Sequence, residues 1–218
     1  MNNIPVYLSQ WGTATLILRE IPYKKVAYIL LRTVTELEPL VQDCAAFCRE
    51  CGAADCFVAA TDSAPPLPGT PDYTLLCMTA EKAALPPLEQ PFHLEPLRPD
   101  NEDLYISLYN RCFQAVSNAA TYDRKEVQRV YRERQQGFLA YLEGTPCGMG
   151  ELHGNELAAV GLLPEYRGMG KALTRALLDR CPGPELRLTV VSNNARALAL
   201  YKKLGFQVDS VVSQWYRY

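Results

Sequence analysis

A glycine-rich junction between an apolar segment and an amphipathic segment constrains the fold of this 218-residue chain more than any other feature. The junction runs from Leu162 to Ala172, and Gly168 and Gly170 stand just before a segment with helical periodicity. The first amides of a helix have no partner within the helix, and the helix dipole adds positive potential there. Glycine also lets a ligand approach the backbone closely. The junction therefore predicts a strand, a turn and a helix whose N-terminus binds a phosphate group.

Two other kinds of phosphate-binding loop fit this junction poorly. A Walker loop needs a glycine where Glu165 stands and a serine or threonine where Ala172 stands. A dinucleotide-binding fingerprint needs a third glycine where Ala172 or Leu173 stands. Neither a P-loop nucleotide nor a dinucleotide is therefore the favoured ligand.

The pattern Arg167-x-x-Gly170-x-Ala172 resembles the Q/R-x-x-G-x-G/A signature of the GNAT superfamily of N-acetyltransferases, which holds the pyrophosphate of acetyl-CoA. A second segment, from Asn194 to Phe206, is similar to the family's N-x-x-A-x-x-L-Y-x-x-x-G-F pattern. Two motifs in the correct order and spacing are hard to obtain by chance. The resemblance covers about residues 92–218, and it implies an acetyl-CoA-dependent enzyme that acetylates a primary amine.

Two proline-rich stretches, residues 63–69 and 85–91, interrupt the first half of the chain, and the second one predicts a domain boundary. We therefore expect a small α+β accessory subdomain over residues 1–90 and a GNAT domain over residues 91–218. Hydrophobic patterns in the subdomain predict strands at 13–19 and 26–32, a helix at 36–50, and strands at 56–60 and 73–78. This order is similar to the back half of a GNAT sheet. Because residues 32–36 contain no glycine, we expect a degenerate half without a cofactor.

Hydrophobic patterns and turn residues in the second part of the chain predict ten helices and strands. We expect strands at 92–97, 138–142, 148–153, 156–163, 185–191 and 206–218, with helices at 101–114, 123–135, 169–180 and 195–204. Their order is that of a GNAT domain. The predicted fold class is thus α+β, with a mixed, mostly antiparallel sheet flanked by helices.

The resemblance also implies how the coenzyme binds. Amides of the turn would take the pyrophosphate, and the backbone of the preceding strand would pair with the pantetheine amides like an added strand. An amide of that strand also polarises the thioester carbonyl in the family. Lys171 near the helix start fits a nearby phosphate, although it also fits a mobile surface lysine. The predicted coenzyme-binding residues are Val160, Gly161, Leu162, Arg167, Gly168, Met169, Gly170, Lys171, Ala172, Leu173, Asn194 and Tyr201.

Two side chains are candidates for proton transfer. By resemblance, Tyr201 would protonate the leaving thiolate of coenzyme A, and the alternative is a core aromatic residue. Glu156 stands eleven residues before Arg167, where histone-type family members place their base, and the alternative is a solvent-exposed strand end. Glu151 and His153 are weaker candidates. Thr189 stands where ribosomal-protein acetyltransferases of the family often carry a glutamate, which argues against that subgroup.

The acceptor amine is not identified by the sequence. The resemblance places it near residues 113–122 and 213–218, which include Tyr122, Trp215, Tyr216 and Tyr218. These aromatic side chains suit a small-molecule or peptide amine, or they serve packing. A non-catalytic module that binds acyl-CoA is the alternative function, and Thr189 is the feature that favours it.

Composition excludes several other classes of protein. The formal net charge is −2, so no electrostatic argument favours nucleic acid or an anionic membrane. No signal segment or long apolar run is present, and we expect a cytoplasmic protein. Cys44, Cys48 and Cys51 recur at helical spacing with apolar residues, which predicts core packing and no metal.

Overall fold

The computed structural model describes residues 4–60, 66–88, 91–116 and 118–218. The chain forms two compact units, one of residues 1–75 with 211–218 and the other of residues 76–210. The predicted boundary between residues 90 and 91 stays a prediction, and parts of both proline-rich stretches, residues 63–65 and 89–90, lie outside the described residues.

The N-terminal unit is an α+β layer. Its elements are strands β1 (Val6–Ser9) and β2 (Gly12–Ile17), helix α1 (Ile21–Lys24), strand β3 (Val26–Val34), helix α2 (Leu37–Glu50), strand β4 (Asp55–Ala60), the start of β5 (Tyr73–Glu81) and the end of β11 (Gln207–Arg217). The strand order in this unit is β1-β2-β3-β4-β11. Strand β1 and helix α1 are additional to the elements that the sequence predicts, because each has only four residues and shows no clear periodicity.

Helix α2 covers one face of this sheet with Leu40, Val41, Cys44, Ala45 and Cys48. The predicted packing role of Cys44 and Cys48 is thus what the structure shows, whereas Cys51 follows the last residue of the helix and is exposed. Strands β3 and β4 run parallel and are paired over six residue pairs, from Val26 with Asp55 to Leu31 with Ala60. Their pairing extends to the end of β4, so no gap separates the two strands.

The second unit has a mixed sheet with helices on both faces. Its elements are β6 (Phe92–Pro96), α3 (Glu102–Phe113), α4 (Arg124–Arg132), β7 (Gln136–Leu142), β8 (Thr145–His153), β9 (Glu156–Leu162), α5 (Gly170–Asp179), β10 (Glu185–Val191) and α6 (Ala195–Lys203), with two short 3₁₀ turns at Lys82–Ala84 and Pro164–Tyr166. The strand order is β10-β9-β8-β7-β6. Of the four pairs among these five strands, β9–β10 is parallel and the other three are antiparallel, which confirms the predicted mixed, mostly antiparallel sheet of an α+β fold.

Two hydrophobic clusters lie on opposite faces of this sheet. One holds Leu157, Leu173, Leu177 and Leu188 with Tyr201, and it joins α5 and α6 to the strands. The other holds Tyr105, Leu108 and Val127 with Ala159 and Leu163, and it joins α3 and α4 to the strands. We call these the α5–α6 face and the α3–α4 face.

Strand β9 has two irregularities that shape the sheet. Its register with β8 shifts so that Glu151 faces Ala159 while Leu152 faces Leu157, which leaves Ala158 as the extra residue of a β-bulge. Its parallel pairing with β10 is limited to Glu156 with Arg187 and Leu157 with Leu188. The two strands therefore part after these pairs, and a gap opens between them toward the C-terminal end of β9.

Close contact between β8 and β9 keeps one side of this gap in place. A Cβ at Gly148 would overlap the carbonyl oxygen of Gly161 and lie 2.8 Å from Cδ2 of Leu162. Backbone atoms cannot move aside as a flexible side chain can, so β8 can approach β9 only because residue 148 has no side chain.

We predict that Gly148→Ala lowers the free energy of unfolding by about 1–3 kcal/mol, the usual range for overpacking. Urea denaturation of the purified protein measures this change. A loss below about 0.5 kcal/mol, typical of a surface substitution, would contradict the close contact.

Candidate coenzyme and catalytic site

The turn before α5 presents unpartnered backbone amides. Within the described part of the chain, the amides of Gly168, Gly170, Lys171 and Ala172 have no hydrogen-bond partner. Gly168 has a φ of 104° and open space around its Cα, so a side chain there would be strained. These four amides lie at the start of a ten-residue helix and form a site for an anion.

Three other amides of the turn, of which those of Met169 and Leu173 were predicted to bind the pyrophosphate, are used within the protein. The amide of Arg167 donates to Pro164 O, that of Met169 donates to Tyr166 O, and that of Leu173 donates to Met169 O. These bonds of 3.2–3.3 Å shape the turn. The geometry therefore favours four of the six predicted phosphate-binding amides over those of Met169 and Leu173, and Arg167 shapes the turn.

The charges around this helix start also suit an anion. The first turn of α5 has no acidic residue, although acidic side chains are favoured at that place in an ordinary helix. Arg167 and Lys171 are exposed there. A negative ligand would thus supply the charge that the helix start lacks.

The free edge of β9 continues from this turn. Leu163 donates its amide to Cys147 O, and the carbonyl of Gly161 points toward Gly148, so these residues direct their backbone groups to β8. By alternation, the backbone groups of Val160 and Leu162 point into the gap beside β10. Two of the three predicted pantetheine-binding residues therefore present free backbone groups to a ligand.

The absence of a side chain at Gly161 is explained by packing within the protein. A Cβ at this position would lie 2.5 Å from the Cβ of Cys112 on α3. The glycine thus permits close packing of α3 on β9.

Tyr201 lies on α6 with its ring on the α5–α6 face. The ring is buried and makes an edge contact with Phe206, with 6.1 Å between the centroids. Burial raises the pKa of Tyr201 to about 12. Its hydroxyl has no hydrogen-bond partner among the described residues. A buried hydroxyl without a partner in the protein is left for a ligand to satisfy, which suits a proton donor.

Asn194 caps α6. Its Oδ1 accepts a hydrogen bond from the amide of Ala197 at 3.1 Å, which occupies the oxygen and leaves Nδ2 available. The structure therefore gives Asn194 a capping role, and its predicted contact with the coenzyme stays a prediction.

The predicted base, Glu156, lies at the first residue of β9. It is half-buried and stands in register with Arg187, where the gap closes. Leu157 and Tyr201 belong to the α5–α6 face, and neighbouring strand residues alternate between faces, so Glu156 lies on the opposite face from Tyr201. Thr189 is exposed on β10, whose residues Leu188 and Val190 belong to the α5–α6 face, so Thr189 is also on the face of Glu156.

Glu151 is a more unusual carboxylate than the sequence indicates. It is 2% exposed on β8, and it accepts hydrogen bonds from Tyr105 Oη at 2.7 Å and Tyr122 Oη at 3.0 Å. Burial raises the pKa of Glu151, while both hydroxyls and Arg129 act in the opposite direction. Sequence alone gives no sign of this burial, because the partners come from 46 and 29 residues away.

Two aromatic residues that the sequence proposes as acceptor walls are packed inside their units. Tyr122 stacks on Tyr109 with 3.5 Å between ring centroids. Trp215 stacks on Tyr73 at 6.1 Å in the N-terminal unit. Of the segment at 113–122, Ser117 lies outside the described residues. Packing thus accounts for both rings.

Metal binding and membrane spanning have no support in the described residues. Across the described ranges, no group of three or more His, Cys, Asp or Glu side chains is placed to hold a metal ion. Every helix in the part of the chain that the structure describes is too short or too polar to cross a bilayer.

Comparison with known proteins agrees with this geometry. The model of the acetyltransferase (GNAT) family matches residues 103–206, which include β9, the turn, α5 and α6. Residues 103–206 are a GNAT domain. The chain is also 41% identical over 64 residues to the N-alpha-acetyltransferase RimI of Mycobacterium tuberculosis. That match covers 28% of this chain and 40% of the relative, so less than half of the relative's length is compared.

Solved structures share the fold at low identity. A GCN5-related N-acetyltransferase from Sphaerobacter thermophilus has a TM-score of 0.58 and 14% identity, over 95% of this chain and 76% of that one. A tandem GNAT protein from the clavulanic acid biosynthesis pathway has a TM-score of 0.54 and 14% identity, over 97% and 80%. These similarities confirm the GNAT fold that the sequence predicts.

The cap of α6 yields a prediction with a matched pair of variants. Asn194→Ala removes the acceptor for the Ala197 amide and should lower the free energy of unfolding by about 1 kcal/mol. Asn194→Asp keeps a capping oxygen and should retain nearly all of that stability. Urea denaturation of both variants makes the comparison, and equal losses would show that the cap contributes nothing.

Proposed function

We propose that the protein transfers an acetyl group from acetyl-CoA to a primary amine by direct attack of the amine on the thioester. One observation carries the proposal: the gap between β9 and β10 leads directly to the unpartnered amides of the turn before α5. The gap suits an extended arm with amide groups, and the amides suit a pyrophosphate. Acetyl-CoA has both groups in this order.

The coenzyme would bind through the backbone. Gly168, Gly170, Lys171 and Ala172 would donate amides to the pyrophosphate, and the edge of β9 at Val160 and Leu162 would pair with the pantetheine arm. The arm then runs back along β9 from its C-terminal end, so its thioester comes toward the bulge at Ala158. A backbone amide near the bulge would stabilise the oxyanion of the tetrahedral intermediate.

The two proton-transfer residues would act from opposite sides of the gap. Glu156, on the α3–α4 face, would take a proton from the amine through water, because it lies two residues, or about 7 Å at 3.3 Å per residue, from the bulge at Ala158. Tyr201, on the α5–α6 face, would give a proton to the departing thiolate. Nitrogen thus bonds to the acetyl carbon as the carbon–sulfur bond breaks, and free coenzyme A leaves.

An α-amine of a peptide is the first acceptor to test. The support is the similarity to a protein named N-alpha-acetyltransferase, which is 41% identical to this chain over 64 residues. Thr189 in place of the glutamate of the ribosomal-protein enzymes is the opposing feature, and small-molecule amines therefore belong in the same assay.

For the N-terminal unit we propose an accessory role without coenzyme. Strands β3 and β4 flank α2 as β9 and β10 flank α5, yet they are paired over six residue pairs instead of two. A closed pair offers no free strand edge for a pantetheine arm.

The proposed reaction predicts thiol release from acetyl-CoA in the presence of an amine. The assay uses an equimolar pool of tetrapeptides with free α-amines and a panel of small primary amines, and it detects the thiol with a colorimetric reagent. The same peptides with acetylated N-termini are the matched control and should give no release. If acetyl-CoA stabilises the protein against heat but no amine gives thiol, the protein is instead a module that binds acyl-CoA.

Tyr201→Phe tests the proton donor. It should lower kcat by about 100-fold, because it keeps the ring and removes the acid. With a pKa of about 12 in the wild type, the hydroxyl stays protonated as pH rises from 6 to 10, so this acid should cause no loss of activity in that range. The affinity for acetyl-CoA, measured by calorimetry, should stay within twofold. An unchanged kcat would exclude Tyr201 as the acid.

A further inference from the structure

The buried carboxylate of Glu151 has no part in the mechanism above, although two tyrosine hydroxyls donate hydrogen bonds to it. A carboxylate that is withdrawn from water is destabilised unless hydrogen bonds replace its hydration, and an apolar side chain would fill the same space without that requirement. Here Glu151 lies in a cluster of apolar and aromatic residues and receives two phenol donors. The arrangement implies a role other than stability.

The two phenols come from different parts of the second unit. Tyr105 lies in the second turn of α3, within the core. Tyr122 lies between α3 and α4, at the end of residues 113–122, which the family resemblance assigns to the acceptor and of which 113–116 and 118–122 are described. We call residues 118–122 the acceptor segment. Glu151 thus connects a central strand to this segment through a single hydroxyl.

Further bonds hold Tyr122 in place. Its amide donates to Asn110 Oδ1 at 2.8 Å, and its carbonyl accepts from Asn110 Nδ2 at 2.9 Å. Its hydroxyl also accepts from Arg129 Nη2 at 3.2 Å, and Arg129 in turn bonds Glu126 and Glu133. The backbone of Tyr122 is therefore fixed to α3, and its hydroxyl joins β8 to α4.

The position of Glu151 along the sheet relates this link to the reaction. Glu151 is in register with Ala159, the residue after the bulge at Ala158, and both side chains lie on the α3–α4 face. The proposed thioester position is at the same level of β9. A shift of Tyr122 would thus displace the acceptor segment relative to the thioester, while the amides that hold the pyrophosphate lie beyond the other end of the strand.

We infer that Glu151 is a positioning residue which, through Tyr122, holds the acceptor segment against the strand beside the thioester. This inference rests on the proposed function, since it assigns a role in acceptor binding. Loss of the link should weaken binding of the acceptor and leave coenzyme binding unchanged. Glu151 itself touches neither substrate.

Tyr105 and Tyr122 provide a matched pair of variants. Each of Tyr105→Phe and Tyr122→Phe removes one hydrogen bond to the same carboxylate and keeps the ring, but only Tyr122 belongs to the acceptor segment. Tyr122→Phe and Glu151→Gln should raise the apparent KM for the tetrapeptide pool by about tenfold, the scale of one hydrogen bond to a charged group. Tyr105→Phe should change it by less than twofold. The Kd of acetyl-CoA, measured by calorimetry, should stay within twofold for all three.

Two results would overturn the inference. One is an equal change of KM in Tyr105→Phe and Tyr122→Phe, which would show a general effect on the core. The other is a change in the Kd of acetyl-CoA as large as the change in KM. If Glu151→Gln fails to fold, the two tyrosine variants still decide between these outcomes.

Amide hydrogen exchange separates this inference from the proposed function. Exchange at the Tyr122 amide should become at least tenfold faster in Tyr122→Phe and unchanged in Tyr105→Phe, and equal rates would contradict the link. Wild-type protein that releases no thiol with the pool or the panel contradicts the proposed function, and the exchange rates then decide alone whether Glu151 holds the segment.

Discussion

The parting of β9 from β10 is the constraint on which the site depends. Parallel strands normally pair along their length, as β3 and β4 do, but β9 and β10 are paired only through Glu156 with Arg187 and Leu157 with Leu188. The opening leaves backbone groups of Val160 and Leu162 without a strand partner. Unpaired backbone groups in a protein interior are costly unless water or a ligand satisfies them. The sheet thus has a built-in place for an extended amide-bearing ligand, and the free amides before α5 lie at its end.

The surrounding structure keeps this opening in shape from both faces. On one face, Leu157, Leu173 and Leu177 pack α5 onto the strands and so fix the start of the helix. On the other face, the absence of a side chain at Gly161 brings α3 against β9, and the bonds of Glu151 connect β8 to α3 and to Tyr122. Most of these contacts serve stability. The buried carboxylate is the exception, because an apolar residue would serve stability at least as well.

Much of this arrangement could be predicted from the sequence. The elements of the second unit follow from hydrophobic periodicity and from the glycine and proline residues at their ends. Gly168, Gly170 and Asn194 have local roles, namely a positive φ, a helix start and a helix cap, and local roles leave a local pattern. The fold class and the family followed from two motifs of this kind. The short β1 and α1 did not, because four residues carry too little periodicity.

What the sequence missed depends on contacts between distant residues. Which amides of the turn are free depends on the bonds of Arg167, Met169 and Leu173, and these bonds exist only in the folded turn. The packing reason for glycine at 161 is also hidden in the sequence, which does not show Cys112 beside it. The catalytic assignments of Glu156 and Tyr201 stay predictions, since each depends on where a bound thioester lies.

The location of acetyl-CoA bound to the full chain is the most direct test of this account. A crystal structure of the complex should show the pyrophosphate on the amides of Gly168, Gly170, Lys171 and Ala172, and the pantetheine arm beside Val160 and Leu162 in the gap. Coenzyme bound with its pyrophosphate away from this turn, or with its arm outside the gap between β9 and β10, would contradict the account.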